Sequence, residues 1–109
     1  MAGSNIYTGT LDVLILKALS AGPLHGYAIG LWIRRRSDEV LSVQEGVLYP
    51  ALHRLERRGW VTASWGTTET KRRAKFYKLS AKGRKHLQAE VARLTEHSEA
   101  VLGILKALG

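Results

Sequence analysis

The C-terminal stretch of the chain carries a spacing that few folds can accommodate. In "AKGRKHLQAEVARLTEHSEAVLGILKALG" (81–109), Leu87, Val91, Leu94, Ser98, Val101, Leu105 and Leu108 recur at alternating intervals of four and three. That alternation is a heptad seam, an apolar line held on one side of a helix for about three heptads. Ser80 stands at its head as an N-cap. The stretch is predicted as one long helix whose seam must be covered, by the same chain folding back or by a second copy. The upstream segments can bury one another, so a second copy is the expected cover. Residues 80–109 are accordingly read as a dimerisation helix and residues 1–79 as a separate domain.

Upstream, three helical patterns precede two alternating ones. "TGTLDVLILKALS" (8–20) is almost wholly apolar from Thr10, a candidate cap, to Ser20, with Leu11, Leu14, Ala18 and Leu19 at helical spacing before "AGP" stops it. "LHGYAIGLWIRRRS" (24–37) reads as a second helix, with Tyr27, Ala28, Leu31 and Trp32 as its core stripe and three arginines at its negative end. In "VQEGVLYPALHRLERRGW" (43–60), Leu48, Leu52 and Leu55 form an amphipathic stripe, Ser42 and Glu45 have capping-box spacing, and Gly59 supplies a stop. Then "WVTASW" (60–65) and "AKFYKLS" (74–80) alternate as strands around the polar tip "GTTETKRR". Val61, Ala63, Tyr77 and Leu79 are placed on the face toward the helices. The predicted fold is mainly α with a small β-hairpin, followed by a long C-terminal helix.

The third helix contains an anomaly. Pro50 falls two turns inside it, where it lacks an amide donor and crowds the carbonyl of residue 46, and residue 46 is Gly. A helix serving stability alone has no use for both. A helix shaped to approach another molecule does.

Charge indicates which molecule. The chain has 17 Lys and Arg against 9 Asp and Glu, a net charge of +8. Eleven of those cations fall between Arg54 and Lys85, with only Glu56 and Glu69 to oppose them, so the block carries +9 and the remainder is near neutral. A concentrated basic block in a folded domain marks a polyanion-binding face. Three helices followed by a hairpin with a basic tip is the order of a winged helix-turn-helix. Its third helix enters a major groove about 12 Å wide while the hairpin meets phosphates. The alternative is a winged-helix interaction module that docks an acidic protein on the same basic face. Retention on duplex DNA with steep salt dependence separates the two.

Other classes find no support in the residues. The chain has no Cys, hence no disulfide and no thiolate site. His86 and Glu90 share a helix face but form no metal motif, and no Ser, His and Asp set suggests catalysis. Neither a cofactor nor a metal is expected, and the chain is read as a non-enzyme. "MAGSNIYTG" lacks a basic start followed by a long apolar run, and no apolar stretch is long enough to span a membrane, so a cytoplasmic protein is expected.

Four segments, "GTLDVLILKAL" (9–19), "GPLHGYAI" (22–29), "EGVLYPALHRLERRGWV" (45–61) and "RRAKFYKLSAKG" (72–83), resemble in order those of the PadR-type transcriptional regulators. The resemblance implies a homodimeric winged-helix repressor that binds double-stranded operator DNA and is released by a small-molecule effector. It implies that the third helix around Gln44, Glu45, Gly46, Tyr49 and Pro50, continuing to His53 and Arg54, lies in the groove. His25 and Tyr27 would hold the DNA backbone, and Lys71, Arg72, Arg73 and Lys75 would form the wing contact. The similarity is to short members with one terminal helix. Some of these stack flat hydrophobic drugs between Trp side chains of paired terminal helices, whereas this terminal helix has no aromatic residue. Arg34, Arg35 and Arg36 are the weaker candidates for an anionic effector site, and Trp32, Trp60 and Trp65 are assigned to packing.

Overall fold

The computed structural model describes residues 8–107. Helix α1 (Thr8–Ala18) passes through a 3-10 turn (Leu19–Ala21) into a two-residue strand β1 (Leu24–His25) and helix α2 (Gly26–Arg36). Helix α3 (Glu45–Arg57), strands β2 (Val61–Thr67) and β3 (Arg73–Leu79), and helix α4 (Ala81–Leu105) complete the chain. The three strands form one antiparallel sheet in the order β1-β3-β2. Leu11, Ile15, Leu16, Leu19, Ile29, Leu52, Leu55 and Val61 are fully buried at the centre of the core. The molecule is mainly helical with a small sheet, as the sequence patterns predict.

The hairpin follows its alternation. Val61 pairs with Leu79 and Ala63 with Tyr77, and these four residues pack on the helices. Strand β1 is not foreshadowed by periodicity. It places Leu24 opposite Tyr77 and His25 opposite Phe76, making β3 the central strand over those two residues only.

Helix boundaries differ from the sequence reading in three places, each for a local reason. Helix α1 already includes Thr8, so Thr10 lies inside the helix and does not cap it. Helix α2 begins at Gly26, two residues later than expected, because Leu24 and His25 are taken by the sheet; His25 then serves as N-cap, its Nδ1 accepting from the Ala28 amide at 3.4 Å. The core face of α2 is Ile29 and Ile33, with Leu31 and Trp32 half-buried and Tyr27 out in solvent. Helix α3 begins at Glu45 with Gln44 as its extended N-cap residue, two residues beyond the Ser42 cap position expected from the sequence. Val43, just before that cap, and Leu48, in the second turn, both lie against Gly30 of α2. This is a hydrophobic staple, which fixes the entry of α3 by packing.

At the other end of α3, Gly59 takes φ +77°. The Trp60 amide donates to the Leu55 carbonyl (3.1 Å) and the Gly59 amide to that of Glu56 (3.0 Å), a Schellman stop. Ser80 ties the same turn to α4: its hydroxyl donates to the Gly59 carbonyl at 2.7 Å and accepts from the Gly83 amide at 2.9 Å. A Cβ at residue 83 would collide with the Trp60 carbonyl oxygen, so glycine is required where α4 meets the turn that leads into β2. These contacts aim α4 along α1, the element on which it chiefly packs.

The heptad seam is thereby divided. Leu87 belongs to the core of its own domain and Leu94 packs against that core, which corrects the expectation that the whole seam awaits a second copy. Val91, Val101 and Leu105 are exposed, joined by Leu102 and Ile104, and Ser98 is half-exposed. Leu108 lies outside the described residues.

Candidate nucleic-acid interface

Helix α3 presents two opposed stripes. Leu48, Ala51, Leu52 and Leu55 face the core. Gly46, Tyr49, Pro50 and His53, at i, i+3, i+4 and i+7, form the opposite, solvent-facing stripe, led by exposed Gln44 and Glu45. The glycine and the proline that trouble the helix therefore share its outer face. A Cβ at Gly46 would meet nothing within 4 Å. The fold does not require a glycine there.

Tyr49 is the exception on this stripe. Its ring lies against the first turn of α2, so close that a Cβ at Gly26 would come within 2.7 Å of Cε1. It is 38% exposed, so the ring does not project freely from the α3 face that the resemblance places in the groove. It docks α3 onto α2 and offers only part of itself to solvent. Behind it, burial raises the Tyr77 hydroxyl above its ordinary range, reinforced by the nearby Glu56 and Tyr49.

The wing tip closes through a three-residue loop, Glu69–Thr70–Lys71. The Thr68 carbonyl accepts from the Lys71 amide (2.9 Å), the Thr68 amide donates to the Arg72 carbonyl (2.8 Å), and the Thr68 hydroxyl accepts from the Arg72 amide (3.1 Å). Lys71 occupies the left-handed region at φ +62°, the position usually given to glycine in such loops. A cation is kept where backbone preference disfavours a side chain.

An open groove of about 1140 Å³ runs between the wing and the start of α2. His25, Tyr27 and Tyr49 line one side and Arg72, Arg73 and Lys75 the other. Tyr27 is 69% exposed, and His25 stacks beside it at 6.5 Å while meeting Phe76 edge-on at 5.3 Å. Strand β1 covers β3 only at Phe76 and Tyr77, so the outer half of β3 is unpaired on this side. The structure thus brings the HGY segment, one residue of the α3 stripe and the basic wing together.

Three assignments from sequence change. Arg54 donates to Asp12 of α1 at 2.7 Å and is turned away from the α3 outer stripe. Lys75 is drawn inward, 3.6 Å from Glu56 and over the Tyr77 ring, so its charge is partly matched. Arg34, Arg35 and Arg36 do not converge: Arg34 pairs with Glu39, Arg36 lies over Trp32, and Arg35 lines the groove. Successive helix residues point about 100° apart, so three consecutive arginines cannot enclose one small anion.

Two groove residues escape a reading by periodicity. Arg35 reaches the groove from the last turn of α2. Trp65, assigned to packing, is 61% exposed and lines the groove. It continues the inward face of β2 after Val61 and Ala63, but extends past the helices that cover them. The cue available in sequence is its distance along the strand from the buried positions. Trp60 does pack, stacked on His86 at 3.6 Å between centroids.

Known proteins share the fold. The fold is similar to that of a transcriptional regulator from Clostridium thermocellum, at 31% identity and a TM-score of 0.80, covering 90% of this chain and 95% of that one. It is also similar to a PadR family transcriptional regulator from Eggerthella lenta, at 26% identity and a TM-score of 0.75, covering 92% and 85%. An uncharacterised protein from Lysinibacillus sphaericus is 28% identical over 101 residues, 93% of each chain. Residues 15–89 match the transcriptional regulator PadR-like family. The chain belongs to that family.

Proposed function

We propose that the protein is a homodimeric, cytoplasmic repressor that binds operator DNA and is released by a small-molecule effector. The outer stripe of α3, from Gln44 to His53, enters the major groove, and Arg72, Arg73 and Lys71 meet the flanking phosphates. Residues 1–79 act as the DNA-binding domain and residues 80–109 pair two copies. The observation that carries this reading is the open groove in which Tyr49 from the exposed face of α3, the HGY segment and the wing arginines Arg72 and Arg73 converge. An acidic docking partner would be served by the cations alone. It would have no need of an exposed, glycine-bearing helix stripe beside them. Support for the pairing comes from Val101, Leu102, Ile104 and Leu105, exposed on the distal part of α4.

Footprinting on the DNA upstream of the protein's own gene tests the reading. A protected site with two-fold symmetry and half-sites about one helical turn apart is expected, with binding that weakens steeply as salt rises. Equal affinity for every duplex, or none for any, would refute it.

A further inference from the structure

All three tryptophans carry an arginine on their ring, but only one pair faces the groove. Arg36 lies over Trp32 at 5.2 Å and Arg58 over Trp60 at 5.3 Å, and both of those indoles are half-buried. Arg73 lies over Trp65 at 4.4 Å, the closest of the three, and there both side chains are exposed. Trp65 sits opposite Lys75 and Thr67 opposite Arg73, so Arg73 is the diagonal neighbour of the indole on the same sheet face. No ion pair holds Arg73 among the described residues, whereas Lys75 beside it is drawn to Glu56. The core has no use for Trp65, whose ring lies beyond the last helix-covered position.

We infer that Trp65 is a positioning residue for DNA binding, its indole acting as a platform that holds the Arg73 guanidinium over the groove. The inference rests on the DNA-binding reading above. A guanidinium stacked by its face keeps its N–H donors free at the edge, in the plane suited to a phosphate. An arginine on an open strand would otherwise sample many rotamers and lose that freedom on binding. The platform removes much of that loss beforehand, which raises affinity without adding a charge. Because phosphate is the target, the effect is the same for every sequence.

A double-mutant cycle read by fluorescence anisotropy on a labelled random-sequence duplex tests this. Trp65→Leu, which keeps apolar bulk without a π face, is expected to weaken binding about three- to fivefold. Trp65→Phe should retain most of the native affinity. In an Arg73→Ala background, Trp65→Leu should change affinity by less than about 1.5-fold, because its effect passes through the missing guanidinium. Thermal melts of each variant accompany the cycle. Independent, multiplying effects of the two substitutions would mean that Trp65 touches DNA directly, and would overturn the positioning role. An unchanged affinity for Trp65→Leu, or a loss shared by Trp65→Phe together with a lowered melt, would overturn it as well. If the native protein itself fails to bind duplex, the DNA-binding reading fails, a result distinct from any of these.

Discussion

At Gly46 stability and the proposed binding pull in opposite directions. The residue lies in the first turn of α3, is exposed, and has open space where a Cβ would stand. Glycine in a helix costs up to about 1 kcal/mol relative to alanine, so the free protein would be better served by alanine. Gly46→Ala is therefore expected to raise the melting temperature while weakening operator binding, as followed by thermal denaturation and anisotropy. A variant that melts higher and binds as well as native would remove Gly46 from the interface. Tyr49 calls for a different design, because its ring supports the start of α2. Tyr49→Ala should cost about 1–2 kcal/mol, below the 3–5 kcal/mol of a fully buried aromatic. The loss of ring packing would then obscure any binding effect. Tyr49→Phe preserves the contact with Gly26 and removes only the hydroxyl. A near-native melt with reduced operator preference would assign that hydroxyl to the DNA, and an unchanged preference would confine Tyr49 to docking the two helices.

Elements whose information is local were legible in the sequence, and those decided by distant contacts were not. The core stripe of α3 and the alternation of β2 and β3 come from side chains a few residues apart, and Leu48, Leu52, Leu55, Val61 and Tyr77 are buried accordingly. Strand β1 is two residues long and its partners lie at Phe76 and Tyr77, far along the chain, so no local period could reveal it. The phase of α2 was hidden because "GYAIGLWI" is apolar on several sides; what selects Ile29 and Ile33 is Gly26 seated under the Tyr49 ring. The site divides in the same way. The exposed cations of the wing could be read from composition, whereas the pairing of Arg54 with Asp12 depends on a helix 42 residues away. The wing itself should act through charge. Removing one cation that neutralises a phosphate reduces the slope of log affinity against log salt by about 0.9, so Arg72→Ala combined with Arg73→Ala should flatten it by about 1–2 units. Binding should weaken for operator and random duplex alike. A native slope with altered sequence preference would instead make these arginines base readers.

For the whole molecule, the direction of α4 decides how two copies could meet. Its first turns are fixed by Ser80, Gly83 and Leu87, which join it to the end of α3 and to the core. The helix is 25 residues long, about 37 Å at 1.5 Å per residue, and its distal part extends beyond the domain. There Ile104 is 76% and Leu105 74% exposed, with Val101 and Leu102 close to half. Burying such side chains contributes about 1.5–3 kcal/mol each when complete, so a few pairs could sustain a dimer. The division of the seam determines which substitution is informative. Leu94→Asp would strike a side chain packed on the domain core and confuse unfolding with dissociation. Val101→Asp with Leu105→Asp acts only on the exposed end. In the proposed arrangement this double variant should sediment as a monomer, keep a native melt in its winged domain, and lose tight operator binding while retaining weak affinity for random duplex. Half-site binding alone would account for that remaining affinity. A variant that still sediments as a dimer would move the interface off the distal helix.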